Sequence, residues 1–341
     1  MRPSFYYHLH PPSIPLRQAR WRYTLGAGGI SVFLSLVVLL SGVFLVFYYT
    51  PTPAEAGLSV QTITFLVPFG WFIRNLHYWS AQALVVTAVV HLGRVVLSGS
   101  YVKPRRFNYL LGICLLLLIL LLDFTGYILR WDEGIHWALV VGTNLVKSIP
   151  LIGMAGYRFL VGGRDLGAAT LLRFYAWHLF GLTLPFIFLI GWHIFRVRHD
   201  GGIAAPPVAI RRDRPRLKRV DLVRREILAA VVCAALLVMA SALFPAPLAP
   251  PMRAAGQPGF EAAPWFFLWL QTLLRYGDPF WMGVCLPAAI LTLLILIPYV
   301  IPQPVPEEWG EWLPKRGRLA QVIFTAIAVF ILTSTILAVL R

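Results

Sequence analysis

Four of the eight histidines lie in long apolar stretches, at spacings that suit metal ligation. His77 and His91 are 14 residues apart, and His178 and His193 are 15 apart. In an α-helix these separations are close to four turns and rise about 21 and 22 Å, so both members of a pair lie near one face. Neutral imidazoles bind metal ions, and two of them can supply both axial ligands of a haem iron. The four histidines therefore predict two bis-histidine sites, one above the other.

The stretches that carry these histidines have the composition of membrane-spanning helices. The chain of 341 residues is 58% hydrophobic and 13% charged, with a mean hydropathy of +0.72, whereas soluble domains carry about 25% charged residues. A run of about 18 or more apolar residues can cross a bilayer as a helix. We predict an all-α integral membrane protein with seven transmembrane helices. Named A to G, they are Gly26–Tyr49, His77–Leu97, Asn108–Leu129, Phe174–Phe195, Glu226–Phe244, Phe280–Val300 and Leu319–Leu340.

The distribution of basic residues predicts the orientation of these helices. Most of the 30 Lys and Arg residues fall on one side of the membrane if the N-terminus lies inside, and the densest run is Arg211–Arg219. An excess of positive charge marks the cytoplasmic side. The positions of the basic residues therefore predict an inner-side N-terminus in a bacterial cytoplasmic membrane, and the net charge of +16 is interpreted as a topology signal that contacts anionic lipid, not as nucleic-acid binding. Helices B and D then run in the same direction, which brings the histidines together as one pair near each membrane surface.

Glycines in helices A and C repeat the histidine spacing. Gly28 and Gly42 are 14 residues apart, and so are Gly112 and Gly126. Glycine inside a helix costs about 1 kcal/mol relative to alanine, so it usually has a packing reason. We expect these glycines to let a flat porphyrin approach helices A and C; ordinary packing of small residues is the alternative.

Two arginines lie beside the predicted ligands. Arg74 precedes His77 by three residues, and Arg94 follows His91 by three. Guanidinium groups bind carboxylates in a bidentate manner, so both are expected to pair with haem propionates. The alternative is a charge that extends from a helix end toward the membrane surface.

The four helix histidines could instead be hydrogen-bonded core residues, ligands of a different metal or parts of a proton path. No carboxylate accompanies the histidines in B or D, which disfavours the last two roles. A transporter would need polar groups along a pathway, and the helices offer few. Cys114, Cys233 and Cys285 are isolated, so no disulfide, zinc site, iron–sulfur cluster or covalent haem is expected.

Several motifs resemble the cytochrome b family of quinol–cytochrome c oxidoreductases, and the b6 form most. They are Phe47–Pro51, Phe69–His77, Gly126–Asp132, Ser148–Gly153 and Leu172–Tyr175 leading to His178. The seven-helix count resembles b6 fused to its three-helix partner subunit. The resemblance implies a four-helix haem-binding domain at 1–200, a basic inner-side linker at 201–225 and a three-helix, subunit-IV-like domain at 226–341.

The resemblance also implies the activity. His77 and His178 would bind a low-potential haem b near the outer side, and His91 and His193 a high-potential haem b near the inner side, both non-covalently. Quinol would be oxidised at an outer pocket formed by the C–D and E–F loops, and quinone reduced at an inner pocket, with coupled proton translocation. A Rieske-type iron–sulfur protein, a c-type cytochrome and a homodimeric complex would be the partners. The alternative is a haem-bearing membrane anchor that passes electrons between quinone and another soluble partner without bifurcation.

The outer quinol site departs from the family pattern. The family usually has Pro-Glu-Trp-Tyr where this chain has Ala263–Phe266, so Pro264 occupies the place of a proton-accepting glutamate. Glu261, Asp278 and Asp132 are the candidate proton acceptors, with Glu133 as a further one.

Three more features of the sequence bear on this picture. Arg130 stands in place of the usual proline before Trp131. Gly26 stands where the b6 form attaches an extra haem through a cysteine, so no covalent haem is expected. Between C and D, the stretch Trp137–Ile152 predicts one helix at the membrane surface.

Overall fold

The computed structural model describes residues 12–204, 216–252 and 263–340. Apart from short turns, the helices are α1 Ala27–Val46, α2 Ala56–Phe65, α3 Gly70–Leu97, α4 Arg106–Ile128, α5 His136–Lys147, α6 Gly153–Val161, α7 Ala168–His199, α8 Arg219–Leu243, α9 Leu268–Leu274, α10 Trp281–Val300 and α11 Lys315–Val339. Within the described ranges, seven of them are long and apolar enough to cross a membrane: α1, α3, α4, α7, α8, α10 and α11. The predicted all-α membrane fold is confirmed.

Several helices begin before their apolar stretches. Helix B, predicted from His77, begins at Gly70, and helix E, predicted from Glu226, begins at Arg219. Hydropathy marks the part of a helix inside hydrocarbon, whereas the backbone stays helical through the polar turns beyond it. Helix E therefore begins inside the stretch that the sequence predicted as a linker.

The N-terminal segment is tied to the start of α8. Strand β1, Ser13–Pro15, pairs antiparallel with β2, Arg216–Lys218. The Arg219 amide donates to the Pro12 carbonyl (3.0 Å). Residues 12–15 and 216–219 therefore lie together, on the side of the bundle where α3 ends.

The predicted surface helix, Trp137–Ile152, corresponds to a helix that ends at Lys147, and a second short helix follows it before α7. They are α5 and α6, and they are separated by a turn at Pro150 and Leu151. Proline provides no N–H for a helix, and Leu151 takes a left-handed conformation (φ 66°). These two local features end α5 and reverse the chain.

The first four long helices and α8 share one core. Leu34 of α1, Leu84 of α3, Leu115 of α4 and Phe186 of α7 are buried in the same cluster, together with Leu237 of α8. The C-terminal part of the chain thus packs directly against the histidine-bearing helices.

The end of α8 is fastened to the start of α3. Asn75 donates to the Ser241 carbonyl (2.8 Å) and accepts the Ala246 amide (2.9 Å). The Arg74 guanidinium donates to the carbonyls of Ala246 (3.2 Å) and Pro247. Buried main-chain groups need such partners, so the segment after α8 is held over this end of the bundle.

Tyr49 fixes the end of α1 to its neighbours. Its hydroxyl donates to the Leu129 carbonyl (2.8 Å), and its ring stacks on Tyr175 with centroids 5.7 Å apart. Burial raises the pKa of the Tyr49 phenol, so the hydroxyl remains a donor at neutral pH. These contacts explain the second tyrosine, Tyr49, of the Phe47–Pro51 motif.

Candidate metal centres

The four helix histidines meet as two facing pairs between α3 and α7. The ring centroids of His77 and His178 are 6.3 Å apart, and those of His91 and His193 are also 6.3 Å apart. Metal–imidazole bonds are about 2.0–2.1 Å long, so two imidazoles on opposite sides of one ion have centroids about 6 Å apart. Both pairs therefore have the separation that one shared ion requires.

The donor set at each pair is two imidazoles. Across the described part of the chain, no group of three or more His, Cys, Asp or Glu could hold a metal ion. Two nitrogen ligands on opposite sides suit an ion whose other ligands come from a planar macrocycle, as in haem. The arrangement does not suit a tetrahedral zinc site, which uses three or four protein ligands.

A π-helical turn aligns the second helix with the first. His178 lies in the π segment Trp177–Gly181, where the Leu182 amide donates to the Trp177 carbonyl (2.8 Å), five residues back. Such a turn adds one residue to an α-helix. It absorbs the difference between the 15-residue spacing in α7 and the 14-residue spacing in α3. The regular helix assumed from the sequence is therefore wrong at this turn, and the observed geometry brings both pairs to the same separation.

Hydrogen bonds orient the imidazoles of the first pair. His77 Nδ1 lies 3.1 Å from the Val38 carbonyl and 3.1 Å from the Ser41 hydroxyl. His178 Nδ1 lies 3.1 Å from the Thr125 hydroxyl. A proton on Nδ1 satisfies these acceptors and leaves the Nε2 lone pair for a metal. Ser41 and Thr125 are positioning residues that the sequence reasoning missed.

Each of the four glycines with matching spacing faces one of the four histidines. A Cβ added to the glycine would approach Cε1 of the histidine ring to 3.0 Å (Gly28 and His91), 3.1 Å (Gly42 and His77), 3.5 Å (Gly112 and His193) or 2.8 Å (Gly126 and His178). The first, second and fourth distances are too short for an undisturbed side chain. Gly28, Gly42 and Gly126 thus admit the imidazole rings themselves, a more specific role than the predicted approach of a porphyrin to the helix backbone, whereas an added Cβ at Gly112 would make an ordinary contact.

Neighbouring glycines of α1 provide a matched test of this contact. Gly28→Ala is expected to displace the His91 ring and to lower occupancy of the second pair severalfold, because its Cβ would lie 3.0 Å from that ring. Gly29→Ala is expected to be neutral, since nothing lies within 4 Å of its added Cβ. Cofactor content per purified chain measures the difference. Equal occupancy in the two variants would contradict the role given to Gly28.

Comparison with known proteins decides the family. The cytochrome b/b6/petB family model matches residues 16–201, which hold all four histidines and all four facing glycines. The chain belongs to the cytochrome b/b6 family. It is 41% identical over 175 residues to cytochrome b6 of Cyanidium caldarium, spanning 51% of this chain and 81% of the relative. It is 37% identical over 174 residues to cytochrome b6 of Synechococcus elongatus, with the same coverage.

The cytochrome b/b6 match ends near the end of α7, whereas structural similarity continues through the chain. A solved structure described as a hyperthermophilic respiratory Complex III superposes with a TM-score of 0.73. The superposition covers 93% of this chain and 92% of that chain, at 20% sequence identity. At this identity the likeness establishes the fold, including the arrangement of α8, α10 and α11.

Membership in the cytochrome b/b6 family implies b-type haem, and the residues present fit it. Each pair offers two opposed imidazoles beside glycine backbone. Arg94 is buried; its Nη1 donates to the Ser100 hydroxyl (3.2 Å), and its Nε has no hydrogen-bond partner among the described residues, which suits a group that binds an anion such as a propionate. Arg74 is also buried, but it donates to main-chain carbonyls. The propionate roles of Arg74 and Arg94 stay predictions.

The carboxylates singled out from the sequence have different surroundings. Asp132 is almost fully buried, and its Oδ2 accepts two hydrogen bonds from Arg130 (2.9 and 2.6 Å) and one from the Ala249 amide (3.1 Å). Asp278 is exposed and accepts main-chain amides at the start of α10. Glu261 lies outside the described residues. Asp132 and Asp278 share no hydrogen-bond partner among those the structure describes.

A further carboxylate was missed by the sequence reasoning. Asp123 lies within the apolar helix α4, two residues before Thr125. Ionisable groups inside a membrane are costly and usually functional. That signal is present in the sequence, but in helix C and not in helices B and D, which carry the histidines.

Proposed function

We propose that this chain is the di-haem cytochrome b subunit of a quinol-oxidising electron-transfer complex. The observation that carries the proposal is the pair of equivalent bis-imidazole sites in one membrane bundle of cytochrome b/b6 fold. His77 and His178 hold one haem b, and His91 and His193 the other. Haem bound there would supply one-electron transfer. Two such groups, about 21 Å apart along α3, connect the two membrane surfaces.

The first pair lies at the outer surface and the second at the inner surface, with the N-terminus inside. The positive charge around β2 and the start of α8 supports this orientation. Quinol is oxidised at the outer end, between α5, α6 and the segment that begins at Ala263, and quinone is reduced at the inner end, with coupled proton translocation. The division into 1–200, 201–225 and 226–341 stays a prediction, as does the homodimer.

The partners follow from the chemistry of quinol oxidation. A quinol releases two electrons, and a chain of haems accepts them singly, so an external one-electron acceptor is required. A Rieske-type iron–sulfur protein and a c-type cytochrome fit that requirement and the family resemblance. The alternative function, a haem-bearing anchor without bifurcation, is favoured by Pro264 in place of the usual glutamate.

The haem content of the purified protein tests the proposal. We expect two b-type haems per chain, with the low-spin, six-coordinate spectra of bis-histidine ligation. Acid–acetone should extract both, because no cysteine lies where the b6 form attaches its extra haem. One haem per chain, or haem that resists extraction, would contradict the assignment. Reduction of both haems by added quinol, in membranes that contain the partner proteins, tests the electron donor.

A further inference from the structure

Asp123 and Asp132 each have a buried carboxylate oxygen without a hydrogen-bond partner among the described residues, but only Asp132 is paired with a cation, Arg130. Oδ1 of Asp123 lies 3.4 Å from Nε2 of Gln82 on α3. Its Oδ2 is buried and has no hydrogen-bond partner in the part of the chain that the structure describes. No ion pair is formed with it by any described cation. A buried polar atom without a partner is costly, so a native protein retains one where a ligand or a reaction needs it.

Gln82 connects Asp123 to the altered motif. The Trp265 indole N–H donates to Gln82 Oε1 at 2.6 Å. Trp265 directly follows Pro264, which occupies the position of the family's glutamate. The loop therefore has no carboxylate at the family's position. Instead, Trp265 of the loop is hydrogen-bonded to Gln82, and Gln82 is hydrogen-bonded to the carboxylate of Asp123.

Aromatic rings pack against the next residue of α4. Phe124, the neighbour of Asp123, lies 5.8 Å from the ring of Phe267 and 6.2 Å from that of Phe174. Sites for small ring ligands are mostly apolar and aromatic, with a few polar groups that orient the ligand. A quinol head group has this mixture of a flat ring and hydroxyls. The three phenylalanine rings offer an apolar surface for the quinol ring, and Asp123, next to Phe124 in the chain, is a group that can accept a proton.

Asp123 also lies close to the outer histidine pair. Thr125, two residues later on α4, contacts His178 Nδ1, and Gly126 faces the ring of the same histidine. A proton acceptor here would act within about one helical turn of the site that takes one of the electrons.

We propose that Asp123 accepts one of the two quinol protons at the outer site, in the role that Pro264 cannot fill; this rests on the proposed function above. The quinol O–H bond breaks, and a carboxyl O–H bond forms on Oδ2. The electrons go to the one-electron acceptors already named, the external iron–sulfur protein and the outer b-type haem. The second proton goes to water or to another group. Gln82 is a positioning residue, because its amide holds the other carboxylate oxygen.

The rival carboxylates are engaged otherwise. Asp132 Oδ2 is occupied by two hydrogen bonds from Arg130 and one from the Ala249 amide. Asp278 is exposed, and its Oδ1 caps the start of α10. Asp123 has neither a cationic partner nor a capping role among the described residues.

The test compares Asp123→Asn, Asp123→Glu and Asp278→Asn in membranes that contain the whole complex. The measured quantity is the rate of b-haem reduction after mixing with a decyl-substituted benzoquinol or naphthoquinol. Proton acceptors contribute about 100-fold or more to rates, so Asp123→Asn should slow reduction about 100-fold at unchanged haem content. Asp123→Glu should keep most of the rate, and Asp278→Asn should match the parent. Asparagine preserves the contact with Gln82, so a purely structural role predicts no loss.

Infrared difference spectra provide a second readout, which does not depend on Asp123→Asn assembling. Reduction of the quinone pool in the parent should change a carboxyl C=O band, and Asp123→Glu should shift that band. If quinol reduces the haems of Asp123→Asn within twofold of the parent rate, or if the band is the same in Asp123→Glu, the role of Asp123 is overturned. A parent complex whose haems no quinol reduces would instead overturn the proposed function itself.

Discussion

His77→Ala is expected to leave one haem per chain, and the haem that remains is expected to be the one held by His91 and His193. The physical reason is the geometry of the pairs. The imidazoles of His77 and His178 face one another at 6.3 Å, so removing either ligand leaves the iron of that site with a single protein ligand. The other pair lies about 21 Å away along α3, too far to be disturbed directly.

The four single variants therefore fall into two groups. His77→Ala and His178→Ala should abolish the same spectral component, and His91→Ala and His193→Ala the other, as resolved by redox titration of the haem absorbance. His136→Ala, at the start of α5, is the control and should retain both. Loss of one shared component in His77→Ala and His193→Ala would show that the pairing is wrong.

Arg130→Leu is expected to destabilise the protein by about 3 kcal/mol, because it leaves a buried carboxylate without its cation. The side chain of Asp132 is 1% exposed and that of Arg130 16%, and their closest atoms are 2.6 Å apart. Asp132 also accepts the Ala249 amide, so the pair joins the turn after α4 to the segment after α8. Arg130 stands where the family has proline, and in this chain it forms an ion pair with the buried Asp132.

Two variants control this experiment. Arg224→Leu removes an exposed partner of Asp221, a pair at 3.5 Å, and should change stability by less than about 1 kcal/mol. The double variant Arg130→Leu with Asp132→Asn should recover much of the loss, since no unpaired charge remains. The stability of all three variants is measured as the temperature at which each loses its haem absorbance in detergent. A loss in Arg224→Leu equal to that in Arg130→Leu would contradict the role of the buried pair.

The features that the sequence determines are those set by local periodicity. Apolar length predicts all seven spanning helices, because a helix in a bilayer must be apolar over the hydrocarbon and satisfies its own backbone hydrogen bonds. The spacing of His77 and His91 places both on one face of a helix, whatever surrounds it. The repeat of Gly28 and Gly42 at the same interval indicates a structural reason before any contact is known.

Features that depend on contacts between distant segments required the tertiary structure. The 15-residue spacing does not reveal the π turn at His178. The position of the additional residue depends on the packing that makes His178 face His77. Arg74 donates to carbonyls more than 170 residues away, which no local pattern predicts. The link from Asp123 through Gln82 to Trp265 joins three segments. The sequence contains each of these residues, but only packing determines which of their polar atoms find partners and which remain available for chemistry.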